Sequence, residues 1–381
     1  MYELTEDQQS LAATAGEFCR ELLGSTLRED DEAERFRKEF ITAMGEQGLT
    51  GIPTPEEYGG LGLGYLEYAI VLEEIAKVSS SYAVSVAVTG LPQVILSQFG
   101  TDSQKEDWLP GLAAGELLGA FALSEPGSGS DAASLSTTAR REGDAYVLEG
   151  TKFWITHGGY ADIYIVMART GGAGAKGVSA FIVPGDAAGL SFGKKEAKMG
   201  MRASPTVEVV LDGVAIPATN RIGPEGFGFG VAMTALDSGR ITIGASAVGL
   251  CQAALESAAS YACERKQFGR PIIDFQGVGF MLADMATQTE SARLLVHKAA
   301  ALKDAGRPFS EAAAMAKVVA TDAAMAVTTD AVQCYGGYGY TRDYPVERFM
   351  RDAKVMQIVE GTNQIQRLVI SRALKRRWSP A

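Results

Sequence analysis

Histidine is almost absent from this chain, with only His157 and His297 among 381 residues. Catalysis built on an imidazole therefore has few candidates, and no His-Glu-x-x-His or carboxylate-rich pattern suggests a metal, so none is expected. His297 lies in the helical run Leu294 to Ala300 and reads as a surface or satisfied helix residue. Cysteine is scarce as well. Cys19, Cys251, Cys263 and Cys334 are widely scattered and none forms a Cys-x-x-Cys pair, which argues against a disulfide framework or a zinc site and fits a reducing cytoplasm. Positive charge is in deficit: 35 Lys and Arg against 46 Asp and Glu give a net charge of -11. Nucleic acid and anionic membranes are thus unexpected partners, although Lys375-Arg376-Arg377 forms a local basic tail. No run approaches the roughly eighteen uninterrupted apolar residues of a membrane span. Met1 to Asp7 lack the basic and apolar regions of an export signal, so neither a span nor export is expected.

What the chain does have is apolar content, 46% of it, and a length at which single cores usually divide, so two or three domains are expected. Thr5-Glu6-Asp7-Gln8 has capping-box spacing, and Leu11, Ala15, Phe18 and Leu22 follow at helical intervals. Further helices are predicted near 33–48, 65–78, 82–98 and 102–113. The texture changes near residue 120. Tyr146 to Leu148, Phe153 to Thr156, Ile163 to Met167, Val178 to Val183 and Thr206 to Val210 are short β-branched or aromatic runs separated by Gly, Pro and Asp. Alanine-rich helical segments return near 230–263, 277–305 and 310–334, lengths that suit a helix bundle. The expected division is 1–119 helical, 120–229 β and 230–381 helical.

Four stretches could carry chemistry. Phe121 to Asp131, containing Ser124-Glu125-Pro126-Gly127-Ser128-Gly129-Ser130, offers backbone N–H and hydroxyl donors to a phosphate or planar ring, though a plain surface turn fits too. Trp154 and Thr156, two apart on a predicted strand, share a face and suit a flat ring, although a core indole is the ordinary alternative. Arg265-Lys266-Gln267-Phe268-Gly269 reads as a cationic, glycine-capped helix end or a pyrophosphate site; Asp237 to Arg240 is read at the start of the same helix. Finally, Glu360-Gly361-Thr362-Asn363 follows the aromatic glycine cluster Gln333 to Tyr340. A carboxylate before glycine sits where the chain turns tightly and can serve as a base, or simply precede a helix that Thr362 and Asn363 cap.

These motifs, in this order, resemble the acyl-CoA dehydrogenase family, and within it the short-chain (butyryl-CoA) branch. The resemblance covers essentially the whole chain. It rests on Ala122 to Asp131, Gly150 to Thr156, Gly193 to Glu196, Leu236 to Arg240, Tyr261-Ala262 with Arg265 and Phe268-Gly269, Gln333 with Gly336-Gly337, and Glu360 to Thr362. It implies an N-terminal α domain, a middle β-barrel-like domain and a C-terminal four-helix bundle. It also implies one FAD per subunit, usually a homotetramer, and electron transfer flavoprotein as oxidant. By motif, the flavin would meet Phe121, Leu123, Ser124, Gly129, Ser130, Trp154, Ile155, Thr156, Thr362 and Gln364. Arg265, Phe268, Gln276, Gln333, Gly336 and Gly337 lie in the segments implied to serve the FAD of a neighbouring subunit. Ser130, Asp237, Arg240 and Gly361 would meet the acyl-CoA.

The implied reaction is α,β-dehydrogenation of an acyl-CoA to trans-2-enoyl-CoA, chemistry of fatty acid β-oxidation. Glu360 would remove the α-proton while the β-hydrogen leaves as hydride, with base and ring on opposite sides of the acyl chain. Some branches place the base at the position corresponding to Gly239, which glycine cannot fill. An acyl-CoA oxidase, another flavoenzyme on this fold, and a non-enzymatic helical scaffold are the rival readings. His157, where asparagine is frequent, and Asn363, where Ser or Glu often follows Glu-Gly-Thr, depart from the family pattern.

Overall fold

The structure is a computed structural model, described here for residues 3–379. The chain begins with six helices, α1 (Glu6–Leu23), α2 (Leu27–Glu32), α3 (Lys38–Glu46), α4 (Tyr65–Val78), α5 (Ser80–Phe99) and α6 (Asp102–Ala113). The capping box at the first is present: Gln8 N–H donates to Thr5 Oγ1 at 3.2 Å and Thr5 N–H to Gln8 Oε1 at 3.0 Å. The single helix expected over 33–48 is instead α3, preceded by a reversal. Buried Asp30 at the end of α2 takes the Arg37 guanidinium at 2.8 Å, and Tyr82 Oη accepts the Arg37 N–H at 3.0 Å, so the intervening residues satisfy their polar groups outside a helix.

Eight strands follow: β1 (Gly119–Ala122), β2 (Thr138–Glu142), β3 (Ala145–Thr156), β4 (Ile163–Arg169), β5 (Val178–Pro184), β6 (Leu190–Phe192), β7 (Thr206–Pro217) and β8 (Arg221–Ile222). They form one sheet in the order β6-β7-β3-β2-β4-β5-β8, with β1 parallel to β4. β4 and β5 are buried almost throughout, which explains their continuous apolar runs. The two runs read as separate near Tyr146 and Trp154 are one strand, β3. A β-bulge between Lys152 and Ile155 sets two residues, Phe153 and Trp154, against Glu208 of β7. Trp154 stands in this bulge at φ +62°, so the simple alternation that would put Trp154 and Thr156 on one face is interrupted.

The last part is helical: α7 (Gly228–Glu264), α8 (Gln276–Asp304), α9 (Ser310–Tyr335), α10 (Val346–Met356) and α11 (Asn363–Trp378). Between α7 and α8 runs a short hairpin, β9 (Lys266–Gln267) and β10 (Arg270–Pro271), turned by Phe268 and Gly269 at φ +51° and +82°. Buried alanines on α7, α8 and α9 bring these helices together. Both α5 and α7 are long and apolar enough to cross a membrane, yet the most apolar eighteen-residue stretch of each is 72% and 78% buried within the protein, as in core helices.

Candidate active site

Glu360 stands between α10 and α11 at φ +54°, followed by Gly361 at φ +83°. A non-glycine residue in this region is strained, by about 1–3 kcal/mol, and persists only where its surroundings hold it. Those surroundings are explicit. Gln366 Nε2 donates to the carbonyls of Glu360 and Gly361 at 2.9 and 2.8 Å, and Lys317 Nζ donates to that of Gly361 at 3.1 Å. Thr362 Oγ1 accepts the Ile365 N–H at 3.3 Å, so the threonine caps α11 as its residue type predicts.

The result is that the Glu360 carboxyl lies against α7. A β-carbon placed on Gly239 would fall 2.5 Å from Glu360 Oε2 and 2.8 Å from Cδ. Oε2 is inaccessible and has no hydrogen-bond partner, although the residue as a whole keeps some exposure. Burial pushes the carboxyl up from 4.5 to about 7, against the opposing charges of Arg240 and Lys317. Such a group is a carboxylate of raised basicity with a free acceptor atom. The Glu360 N–H makes no hydrogen bond among the described residues.

Asp237, Ser238, Gly239 and Arg240 lie well inside α7, which begins at Gly228, so they do not start the helix as expected. Asp, Ser and Gly in succession suit a cap, but the helical texture expected from about residue 230 already runs through them. Arg240 pairs with Asp237, which also accepts Ser310 Oγ at 3.0 Å, while Lys303 Nζ donates to Ser238 Oγ at 2.7 Å. Arg240 Nε remains buried without a partner. The ordinary reading of Arg240, an ion pair with an acidic neighbour, describes its guanidinium here.

A second group of residues gathers on the sheet. Phe121 lies on β1, and the loop that follows is tied to β3: Phe153 N–H donates to the Ser124 carbonyl at 2.8 Å, and Lys152 Nζ to the Leu123 carbonyl at 3.1 Å and to Glu125 Oε1 at 2.7 Å. Glu125 also accepts the N–H groups of Ser136 and Thr137, at 2.6 and 2.9 Å. Burial alone would raise the Glu125 carboxyl, but the Lys152 charge and these donors hold it down near 2. Beyond this clamp Gly129 and Ser130 are exposed, with open space where a Gly129 side chain would lie. Trp154 is 60% exposed, Ile155 is buried and Thr156 partly buried. The adjacent His157 is fully buried, with Nδ1 3.0 Å from the Gly119 carbonyl, and burial holds it near 4.

A third group lies at the end of α7. Arg265, Gln333, Gly336 and Gly337 line a cavity of about 550 Å³ together with Tyr261, Gln267, Tyr335, Tyr338 and Thr341. The Arg265 guanidinium sits over the Tyr338 ring at 5.6 Å and pairs with no carboxylate among the described residues. Phe268, at the hairpin tip, is 94% exposed, and Gln276 is exposed at the start of α8. Thr362 is partly buried and Gln364 exposed beside Glu360. None of residues 121–130 or 154–156 lines this cavity.

Sequence reasoning gave no role to Lys317, Lys152, Gln366 or Lys303. Each is a polar residue inside an apolar or hydroxyl-rich stretch, and Lys317, flanked by buried alanines, carried the one readable signal: a lone cation on a core-facing helix.

Known proteins match along nearly the whole length. Residues 5–116, 120–214 and 226–375 match the N-terminal, middle and C-terminal domains of acyl-CoA dehydrogenase, respectively. A short-chain specific acyl-CoA dehydrogenase of Clostridium acetobutylicum is 47% identical, over 97% of this chain and 98% of that one. Butyryl-CoA dehydrogenase from Megasphaera elsdenii has a similar structure, with a TM-score of 0.96 and 46% identity over 98% of this chain and 99% of that one. A chain in the structure of the electron transferring flavoprotein of Acidaminococcus fermentans, studied for flavin-based electron bifurcation, aligns with a TM-score of 0.97 and 48% identity, over 99% of this chain and 100% of that one. With three domain matches in order along nearly its whole length, the chain belongs to the acyl-CoA dehydrogenase family.

Proposed function

We propose that the protein is an FAD-dependent dehydrogenase of short-chain acyl-CoA thioesters, with Glu360 as the base that takes the α-proton. The observation that carries this reading is the Glu360 carboxyl itself: raised to about 7, unpartnered at Oε2, and lodged against a residue without a side chain. An α-proton next to a thioester is too weakly acidic for a free carboxylate, so the base must be strengthened and the developing enolate stabilised. Burial does the first. The unengaged Glu360 N–H is positioned on the same residue to donate to the thioester carbonyl.

The residues fit the cofactor that the family implies. The open loop Gly127 to Ser130, the exposed Trp154 indole and the Arg265-lined cavity supply backbone donors, a flat surface and a cation, which are the needs of a flavin dinucleotide. When bound, FAD supplies the two-electron acceptor for the hydride that leaves the β-carbon. In this reading Phe121, Leu123, Ser124, Gly129, Ser130, Trp154, Ile155, Thr156, Thr362 and Gln364 hold the FAD of their own subunit. Arg265, Phe268, Gln276, Gln333, Gly336 and Gly337 meet that of a neighbour, which is why their cavity stands apart from the sheet loop and why we infer a homotetramer. Ser130, Asp237, Arg240 and Gly361 contact the acyl-CoA. The natural electron acceptor is an electron transfer flavoprotein, a link drawn from the Acidaminococcus fermentans structure. The domains divide at 1–119, 120–229 and 230–381, and the free cysteines fit a cytoplasmic protein.

Anaerobic addition of butyryl-CoA to the purified protein tests the activity. Bleaching of a yellow enzyme with formation of crotonyl-CoA supports it. A colourless protein, or a yellow one unchanged by any saturated acyl-CoA, refutes it.

A further inference from the structure

Lys317 is fully buried in α9, with Ala313, Ala314, Ala316 and Ala320 buried around it. An ammonium removed from water needs partners that replace its hydration. Among the described residues it forms no direct ion pair. Nζ donates instead to the Gly361 carbonyl at 3.1 Å and to Asn363 Oδ1 at 2.8 Å. Both acceptors belong to the turn that carries Glu360.

The same helix grips that turn at further points. Asn363 Nδ2 donates to Thr321 Oγ1 at 2.9 Å and to Asp322 Oδ1 at 2.7 Å, and Thr321 Oγ1 donates back to the Lys317 carbonyl at 2.7 Å. Asp322 also accepts Gln357 Nε2 at 2.7 Å and the Arg367 guanidinium at 2.8 Å. Gln357 and Asn363 bracket the turn and are themselves joined by an N–H to carbonyl bond of 3.0 Å. One face of α9, built from Lys317, Thr321 and Asp322, thus holds both ends of the segment in which Glu360 adopts its left-handed conformation. The charged groups around Lys317 are Glu360, Asp322 and Arg240.

We propose that Lys317 is a positioning residue for Glu360: through Gly361 and Asn363 it fixes the turn that aims the carboxylate at Gly239, and its charge faces that carboxylate. The inference rests on Glu360 being the base. Burial draws the Lys317 ammonium down to about 7, while Glu360 and Asp322 resist that shift, so the lysine and the glutamate sense one another. The lysine touches no reacting atom. It acts by geometry and by favouring the ionised glutamate.

The test compares FAD-loaded wild type with Lys317→Met and Asn363→Ala, measuring kcat, KM, flavin content, melting temperature and the pH dependence of kcat/KM with butyryl-CoA. Misplacing a base by an ångström costs on the order of 100-fold, so kcat should fall by about that much in Lys317→Met while flavin content is retained. Removing a cation near a carboxylate should also move the acid limb of the pH profile upward, by about one unit. Asn363→Ala keeps the ammonium and loosens the tether, so kcat should fall without that upward movement. A lysine that only supports the bundle would lower the melting temperature and leave the limb in place; that result, or a wild-type kcat in Lys317→Met, overturns the proposal. If Lys317→Met does not fold, a wild-type kcat in Asn363→Ala overturns it. Glu360→Gln run alongside separates the two levels: an active Glu360→Gln refutes the base itself, whereas an inactive one beside an unaffected Lys317→Met refutes only the positioning role.

Discussion

The carboxyl of Glu360 occupies the space that a side chain on Gly239 would need, with Oε2 only 2.5 Å from where that residue's β-carbon would be. The two positions, remote in sequence, therefore address one volume. A carboxylate supplied from either would reach the same place, and with glycine on α7 we propose that the turn before α11 supplies the base.

Gly239→Ala should displace the carboxylate and lower kcat by about 100-fold, since the methyl group cannot coexist with Glu360 in its present rotamer. Steady-state kinetics with butyryl-CoA check this. The double variant Gly239→Glu with Glu360→Gly should regain part of the activity that Glu360→Gly alone loses.

The raised carboxyl has consequences for pH. Activity in the free enzyme should rise as Glu360 ionises, near pH 7, and kcat/KM profiles report that limb. For stability the sign is opposite. A carboxyl whose folded value lies above its unfolded one contributes stability that is present below 4.5 and lost as the pH rises through about 7. Glu360→Gln should therefore be more stable than wild type at alkaline pH, by about 1–3 kcal/mol, and equal to it in acid. Denaturant melts at the two extremes measure the difference.

Lys152→Met should be severely destabilising, by about 3–5 kcal/mol, because it strands the buried Glu125 carboxylate. Chemical denaturation gives the value. As Glu125 is held down near 2, its contribution is present above 4.5 and is lost as the pH falls through about 2, so the wild-type clamp should survive mild acid.

Arg265→Ala should weaken flavin retention, measured as the ratio of flavin to protein after dialysis. Loss of one charge-assisted contact to a phosphate is worth about 1.5–3 kcal/mol, which is at least tenfold in FAD affinity. Unchanged retention would remove the third cluster from the cofactor site.

Much of this was legible in the chain. The period of the apolar residues marked α4 to α9, the capping box marked α1, and the glycine after Glu360 marked the turn, because each depends on neighbours in sequence. What escaped depends on distant partners. The break between α2 and α3 comes from Arg37 bonding both Asp30 and Tyr82 of α5, and the bulge at Trp154 comes from pairing with β7. The extent of α7 was legible from about residue 230, but Asp237 to Arg240 were placed at its start because Asp, Ser and Gly suit a cap, whereas the helix runs through them from Gly228. Lys317 and Asn363, 46 residues apart, acquire their roles only when α9 and α11 come together.

The most direct measurement is anaerobic mixing of flavin-loaded Glu360→Gln with butyryl-CoA beside the wild type. Wild type should bleach rapidly while Glu360→Gln, equally yellow, keeps its absorbance. Rapid bleaching of Glu360→Gln would contradict the role of Glu360 as the base.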